Sequence, residues 1–376
     1  MSEHKFSYKW YLKNGYPAKG IELNGLKIFG TFICGGGSTM GYKLAGFNHL
    51  GGVEIDPKVA DVYKANHNPK YLFVEDIREF VKHTDLPDEL YKLDLLDGSP
   101  PCSSFSISGN REKDWGKEKV FREGQALQTL DDLFFDYIAL AKKLQPKVVI
   151  AENVKGLIQG NAKSYVRKIK AGFEDAGYKV QLFLLNAASM GVPQKRERVF
   201  FICQRNDLNF PKLELNFDEV AINYFKIEDD NFENKVAKCD LQYLKNCNKG
   251  SSIASIHPKG NRFNSIKLHP EKVVNTIASG SELYHYEKIK ALSNNELKLC
   301  GSYPLDYNFK SIDPKYLIGM SVPPVMTAQI AHQIYLQWFK QHQNVLVFYK
   351  GNPKNIKQNY PELDLSYMDN DDNIEV

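Results

Sequence analysis

The sequence predicts an α/β fold with a doubly wound, mostly parallel sheet and a small irregular domain inserted before its last helix. Three observations carry that reading. From Leu26 to about Ile202, short apolar runs alternate with stretches of helical periodicity, the signature of βαβ units. Three glycines, Gly35, Gly36 and Gly37, follow the first apolar run, where a strand would turn into a helix and backbone could approach a ligand closely. After Gln204 the chain becomes rich in Asn, Lys and Ser, and periodicity weakens until about residue 285.

The strands are read from apolar runs bounded by turn residues: 26–33, 51–55, 71–74, 93–97, 147–152, 179–186 and 198–203. Between them, residues 131–144 repeat Leu133, Tyr137, Leu140 and Leu144 on one helical face, and Pro146 stops the helix. Order returns at 292–300, and 325–340 forms an amphipathic helix behind Pro323 and Pro324. This divides the chain into a first part at 1–212, an inserted domain at 213–290, a closing part at 291–345 and a tail at 346–376. The tail's last sixteen residues hold six acids and no Lys or Arg, a composition that predicts disorder.

The formal net charge is +4, so the body without that tail is more basic than the whole. A basic body suits a polyanionic partner, and many soluble enzymes share it. The longest apolar runs are too short to span a bilayer, and the polar, basic N-terminus has no apolar signal core, so a soluble cytoplasmic protein with no membrane partner is expected. The six cysteines form no CxxC pair and no regular framework, which predicts reduced thiols and no metal.

The chemistry concentrates at strand ends. The stretch 95–106, LLDGSPPCSSFS, holds Cys102 stiffly behind two prolines at the end of a buried strand. That suits either a small buried residue in a turn or a nucleophile at the carboxyl edge of a sheet. Glu54 ends the second strand 22 positions after Phe32, the spacing of an acid that grips ribose hydroxyls, and Asp76 follows the third strand, where it could accept from an adenine amino group. Each also fits an ordinary tight turn. Glu152 and Asn153 end another buried run, and PQKRER at 193–198 packs basic residues at the entrance to the last strand. A strand-end ion pair and a solvated basic turn explain these equally well; adjacent strand ends would bring Cys102, Glu152 and Arg198 into one cleft.

Taken in order, FICGGG, Glu54, Asp76, GSPPCSSFS, LFFD, AENVKG, QKRER, the TIASG stretch at 276–280 and GMSVPP at 319–324 resemble the DNA cytosine-5 methyltransferase family over most of the chain. The resemblance implies a Rossmann-like sheet that binds S-adenosyl-L-methionine, leaves S-adenosyl-L-homocysteine as product, and carries a small target-recognition domain. It implies Cys102 as the nucleophile that adds to C6 of a flipped cytosine, with Glu152 at N3, Arg198 at O2, Asn153 ordering the proline-cysteine turn, and Arg196 beside them. Phe32, Cys34, Gly35, Gly36, Gly37, Glu54, Ile55, Asp76, Ile77, Pro101, Leu133, Ser321 and Val322 are implied at the cofactor. Ser103, Ser106, Lys259, Arg262 and Asn264 are implied at duplex DNA. The polar segment after Cys102 suits a loop closing over the extruded base. A cognate restriction endonuclease, acting on the same site without direct contact, and a monomeric state are the expected context. Two positions depart from the family pattern: Cys34 stands where glycine is usual, and Met320 where asparagine is usual.

Three competing readings are weaker. The tRNA-methylating branch shares the core motifs but carries a Cys-Phe-Thr tripeptide, absent from residues 199–318. A catalytically silent DNA-binding relative need not retain Cys102, Glu152 and Arg198 together. A nicotinamide oxidoreductase explains the glycine turn and Glu54 and leaves PPC and QKRER without a role.

Overall fold

The computed structural model describes residues 4–101, 133–159, 162–278, 280, 282–340 and 359–360. Seven strands form one sheet: β1 (Lys27–Thr31), β2 (Asn48–Glu54), β3 (Tyr71–Val74), β4 (Leu95–Gly98), β5 (Val148–Val154), β6 (Tyr178–Asn186) and β7 (Glu197–Arg205), in the order β3-β2-β1-β4-β5-β7-β6. All seven apolar runs are strands. Five neighbouring strands pair in parallel, whereas β7 runs antiparallel to both β5 and β6. The reason is local. Only residues 187–196 separate β6 from β7, with no crossover helix, and a short link can join antiparallel strands only.

Helices α1 (Gly37–Leu44), α2 (Pro57–His67), α3 (Ile77–Phe80), α4 (Leu133–Leu144) and α5 (Lys163–Asp175) connect the strands. Alternate strand residues feed two cores. Leu95, Val148, Ile150, Phe200 and Ile202 pack on the side of α1, while Leu96, Val149, Ala151 and Phe201 pack with α4 and α5. Chain order reverses between β1 and β4, so the crevice at their carboxyl ends is the topological switch point.

Beyond β7 come β8 (Leu215–Asn216), α6 (Leu241–Leu244), β9 (Ser251–Ser252), β10 (Ser265–Lys267) and β11 (Glu282–Tyr284); β9, β10 and β11 form a separate three-stranded sheet. The chain returns through α7 (Asn294–Cys300), α8 (Pro314–Met320) and α9 (Pro324–Ile334), and β12 (Asn359–Tyr360) pairs with β8. The helix expected at 325–340 ends as α-helix at Ile334 and continues as a π-helix over Tyr335–Lys340, seating Trp338 against the carbonyl of Pro211. The acidic tail at 361–376 lies outside the described residues.

The small sheet has its own core of Leu244, Cys247, Ile253, Tyr284 and Ala291. Beside it lies Asp240, whose side chain is fully buried. Its carboxylate accepts from Arg262 Nε at 2.7 Å and Nη2 at 2.8 Å and from the Tyr284 hydroxyl at 2.6 Å. Although burial pushes Asp240 up, these donors together hold its pKa below the usual Asp range. Arg262 is thus held on Asp240 with its side chain 34% exposed and its backbone in the left-handed region at φ 72°. Lys259 is exposed, and Asn264 is half-buried with its carbonyl accepting from Glu282 N.

Two outcomes test this packing. A Cβ at Gly41 would meet Thr327 Cβ at 2.4 Å and Pro324 O at 2.5 Å, where α1 crosses α9. Helix propensity alone would make Gly41→Ala stabilising by about 1 kcal/mol, whereas overpacking costs about 1–3 kcal/mol. We expect a lower melting temperature, and a rise would show a looser helix contact. Arg262→Ala should cost about 1–3 kcal/mol in denaturant unfolding, because it strips a buried carboxylate of two donors. Unchanged stability would show that the fold does not depend on this pair.

Candidate active site

Three strand ends converge at the carboxyl edge of the sheet. Because β7 runs against β5, its first residues lie beside the last residues of β5: Arg198 pairs in register with Val154, and Phe200 with Glu152. Arg198 Nε lies 2.9 Å from Glu152 Oε1, with both side chains mostly buried, at 13% and 11% exposure. Nη1 of Arg198 donates to the carbonyl of Glu197 at 2.8 Å, which fixes the plane of the guanidinium. Burial opposes the charge on Arg198, and the Glu152 carboxylate partly restores it. Asn153, on the same strand end, donates from Nδ2 to Pro100 O at 3.0 Å, and its Oδ1 accepts from Val154 N at 2.8 Å. The turn of Ser99, Pro100 and Pro101 is therefore pinned to β5. Cys102, Ser103, Ser106 and the rest of the loop expected to close over the base lie outside the described residues.

Below this edge sits Asp97, buried on β4, which the sequence reading passed over. The Tyr42 hydroxyl donates to its Oδ1 at 2.8 Å, and the Ser38 hydroxyl also donates to its carboxylate. Burial pushes its pKa up to about 7; these donors lower it, and the neighbouring Glu152 charge raises it further. The signal that could have found it is a lone acid on the apolar-facing register of LDLLD.

Arg196, implied beside Glu152 and Arg198, feels both of their charges and is also tied to other segments. Arg196 is 2% exposed, and its guanidinium donates to Ile277 O at 2.9 Å and Gly319 O at 3.0 Å. It ties the entrance of β7 to both the 276–280 stretch and the GMSVPP turn. We read it as a strut between these segments.

At the switch point lies a cleft walled by Phe32, Cys34, Glu54, Ile55, Asp76, Ile77, Pro101 and Leu133, eight of the residues implied at the cofactor. Gly35, Gly36, Gly37, Ser321 and Val322 are not among the residues lining it. Gly36 has φ 80°, and a Cβ there would meet His67 Nε2 at 2.2 Å, so internal packing demands that glycine. Ser321 accepts from the Tyr303 hydroxyl at 2.7 Å and donates to Leu317 O at 2.9 Å. Glu54 is buried and accepts from Cys34 N at 2.9 Å and Asp56 N at 3.0 Å; burial raises its pKa while these amides oppose the shift. Asp76 caps α3 and is gripped by Arg78 Nε and Nη2; burial raises it, but the guanidinium and the Arg78 amide bring it below the usual range.

Both departures from the family pattern have a visible consequence. Cys34 sits at φ 48°, a left-handed conformation that costs a non-glycine residue about 1–2 kcal/mol. The turn nevertheless forms, with Cys34 N anchored on Glu54. Met320 is 45% exposed and lines the cleft together with Tyr316, one turn earlier on α8. Tyr316 was missed in the sequence; its spacing of four from Met320 on a helix is the signal that places it there. Apolar walls for a flat base and buried acids for hydroxyls fit an adenosine-containing cofactor.

The profile of the C-5 cytosine-specific DNA methylase family matches residues 26–336. The type II methyltransferase M1.HphI of Haemophilus parahaemolyticus is 29% identical over 346 residues, covering 84% of this chain and 88% of that protein. The type II methyltransferase M.FnuDI of Fusobacterium nucleatum is 37% identical over 196 residues, 51% of each chain. The solved S. pombe Dnmt2 methyltransferase superposes with a TM-score of 0.58 at 17% identity, covering 83% of this chain and 99% of that one, a likeness of fold. With the family profile spanning the sheet, both strand-end motifs and the closing helices, the chain belongs to the C-5 cytosine-specific DNA methylases.

Proposed function

We propose that this protein transfers a methyl group from S-adenosyl-L-methionine to C5 of a cytosine in a specific sequence of duplex DNA, through a covalent bond between Cys102 and C6. The observation that carries the reading is the buried Glu152–Arg198 pair beside a proline turn that Asn153 pins in place. Cytosine C5 is a weak nucleophile until a thiolate adds at C6 and pushes electrons toward N3 and O2. A carboxyl that gives a proton to N3 and a guanidinium at O2 take up that charge. Loss of the C5 proton then lets the C6–S bond break. The cofactor, when bound, supplies an electrophilic methyl group. Phe32, Ile55, Ile77 and Leu133 would flank its base and Glu54 its ribose.

The base must leave the duplex for C6 to be attacked from above its ring. The surplus of Lys and Arg between 235 and 272 and the exposure of Lys259 support a DNA-facing small domain at 213–290. Similarity to type II methyltransferases supports a restriction-modification context with a cognate endonuclease. No helix among the described residues is long and apolar enough to cross a membrane.

Bisulfite sequencing of DNA from cells expressing the chain should show one methylated cytosine context, and Glu152→Gln should slow single-turnover transfer by on the order of 100-fold or more while cofactor affinity holds. Unchanged turnover in that variant would move the N3 role elsewhere, and unmodified DNA would overturn the assignment. Arg198→Lys should also be slow, since a point charge does not reproduce a planar fork of donors.

A further inference from the structure

Strand β2 has a cleft at each of its ends. Val53 and Glu54, at its carboxyl end, face the cleft proposed for the cofactor, whereas Asn48, His49 and Leu50, at its start, line a second cleft of about 610 Å³. That volume lies in the range of small-molecule sites. Tyr16 and Leu23 from the N-terminal segment and Phe47 from the link between α1 and β2 give the second cleft apolar walls, and the charged side chains lining it are Lys43, Lys70 and Glu89. We propose that it binds a small organic anion, with the acid group against the Lys43 ammonium and the apolar body on Tyr16, Leu23 and Phe47. The site stands apart from methyl transfer and needs neither DNA nor the cofactor.

The charges decide the class of ligand. Glu89 is already answered: it pairs with Lys27 at 3.0 Å and with Lys70, and the Tyr71 hydroxyl donates to it at 3.2 Å. Lys43 is not. Its ammonium donates to the carbonyl of His67 at 3.1 Å and lies 5.5 Å from the centre of the Tyr16 ring, and among the described residues no carboxylate pairs with it. Burial pulls its pKa down to about 8, with no acid opposing the shift. A half-buried cation of this kind is short of a counter-ion, which an anion would supply. The same wall holds two further unsatisfied groups. The Tyr16 hydroxyl and His49 Nδ1 are buried without a hydrogen-bond partner among the described residues, although His49, 7% exposed, shares a bond with Thr39 Oγ1 through Nε2 at 3.2 Å. Buried polar atoms are ordinarily completed by a protein group, a water or a ligand. A cation would meet two ammonium groups and one acid that lysines already hold. A bare inorganic anion would match Lys43 and leave the apolar walls in water.

Benzoate, a carboxylate on a flat apolar ring, is the probe. It is titrated calorimetrically into the full chain near neutral pH, with S-adenosyl-L-homocysteine saturating the other cleft so that binding there is blocked. Saturable binding with a Kd of about 1 mM or tighter is expected for a ligand of this size. Benzamide keeps the ring and loses the charge, and inorganic phosphate keeps charge and loses the ring; each should bind at least about tenfold more weakly. Lys43→Met should weaken benzoate by at least about tenfold, since it removes a charge-assisted bond. Leu23 is 73% exposed, so Leu23→Glu should keep the wild-type melting temperature while its charge at the mouth weakens benzoate by about threefold or more. That variant decides the matter if the Met protein folds poorly. No saturable binding by about 10 mM, equal binding of benzoate and benzamide, or wild-type affinity in the folded variants would overturn the proposal and leave the cleft to water. Any of these results would leave the methyl-transfer reading untouched.

Discussion

The reversal of a single strand organises the edge proposed for catalysis. In a sheet whose other neighbours run parallel, the functional rim is formed by strand C-termini, and a segment that enters a strand would normally start at the far rim. Since β7 runs antiparallel to β5, its first residues are delivered to the rim where β4 and β5 end. That direction is what allows Arg198 to meet Glu152. A buried ion pair of this kind repays its desolvation only with good geometry and further hydrogen bonds. The Nη1 bond to Glu197 O and the close Nε contact supply both.

The cleft proposed for the cofactor and the edge proposed for catalysis are built as one piece. The β1 turn is fixed from beneath by Glu54, which takes the Cys34 amide, and from the side by His67, whose Nε2 contacts Gly35 O at 3.2 Å, with Tyr307 bonding the same carbonyl. Tyr307 comes from the segment after the small domain, so the end of the chain helps shape its beginning. Arg196 makes the corresponding tie at the other side, joining β7 to Ile277 and Gly319. The buried Lys290, paired with Glu296 at 2.8 Å and Asp229 at 3.0 Å, anchors the return into α7. Charge is placed in the interior chiefly where separate segments must be held at a fixed distance.

How much was legible follows from the same physics. The strands of the main sheet could be read because they are covered on both faces and so appear as continuous apolar runs. Their direction could not, since periodicity carries no sense; the short link of 187–196 held the clue for β7. The small domain resisted because its strands are two or three residues long, too short for any pattern. Glu152, Asn153 and Arg198 were legible as strand-end polar residues, and the structure brings them together. The Arg262–Asp240 pair was not legible because nothing local announces that Asp240, 22 positions earlier, is buried. Asp97 was overlooked because it ends a hydrophobic run that was read for its packing.

The central claim is that Cys102 forms a covalent bond to cytosine C6 at the edge defined by Glu152 and Arg198. It is tested most directly with duplex DNA bearing 5-fluorocytosine at the methylated position, incubated with the protein and S-adenosyl-L-methionine, followed by digestion and mapping of the cross-linked peptide. Fluorine at C5 cannot leave as a proton does, so the account predicts a stable adduct on the peptide containing Cys102 that vanishes in Cys102→Ser. An adduct that survives this substitution, or maps to another cysteine, would contradict it.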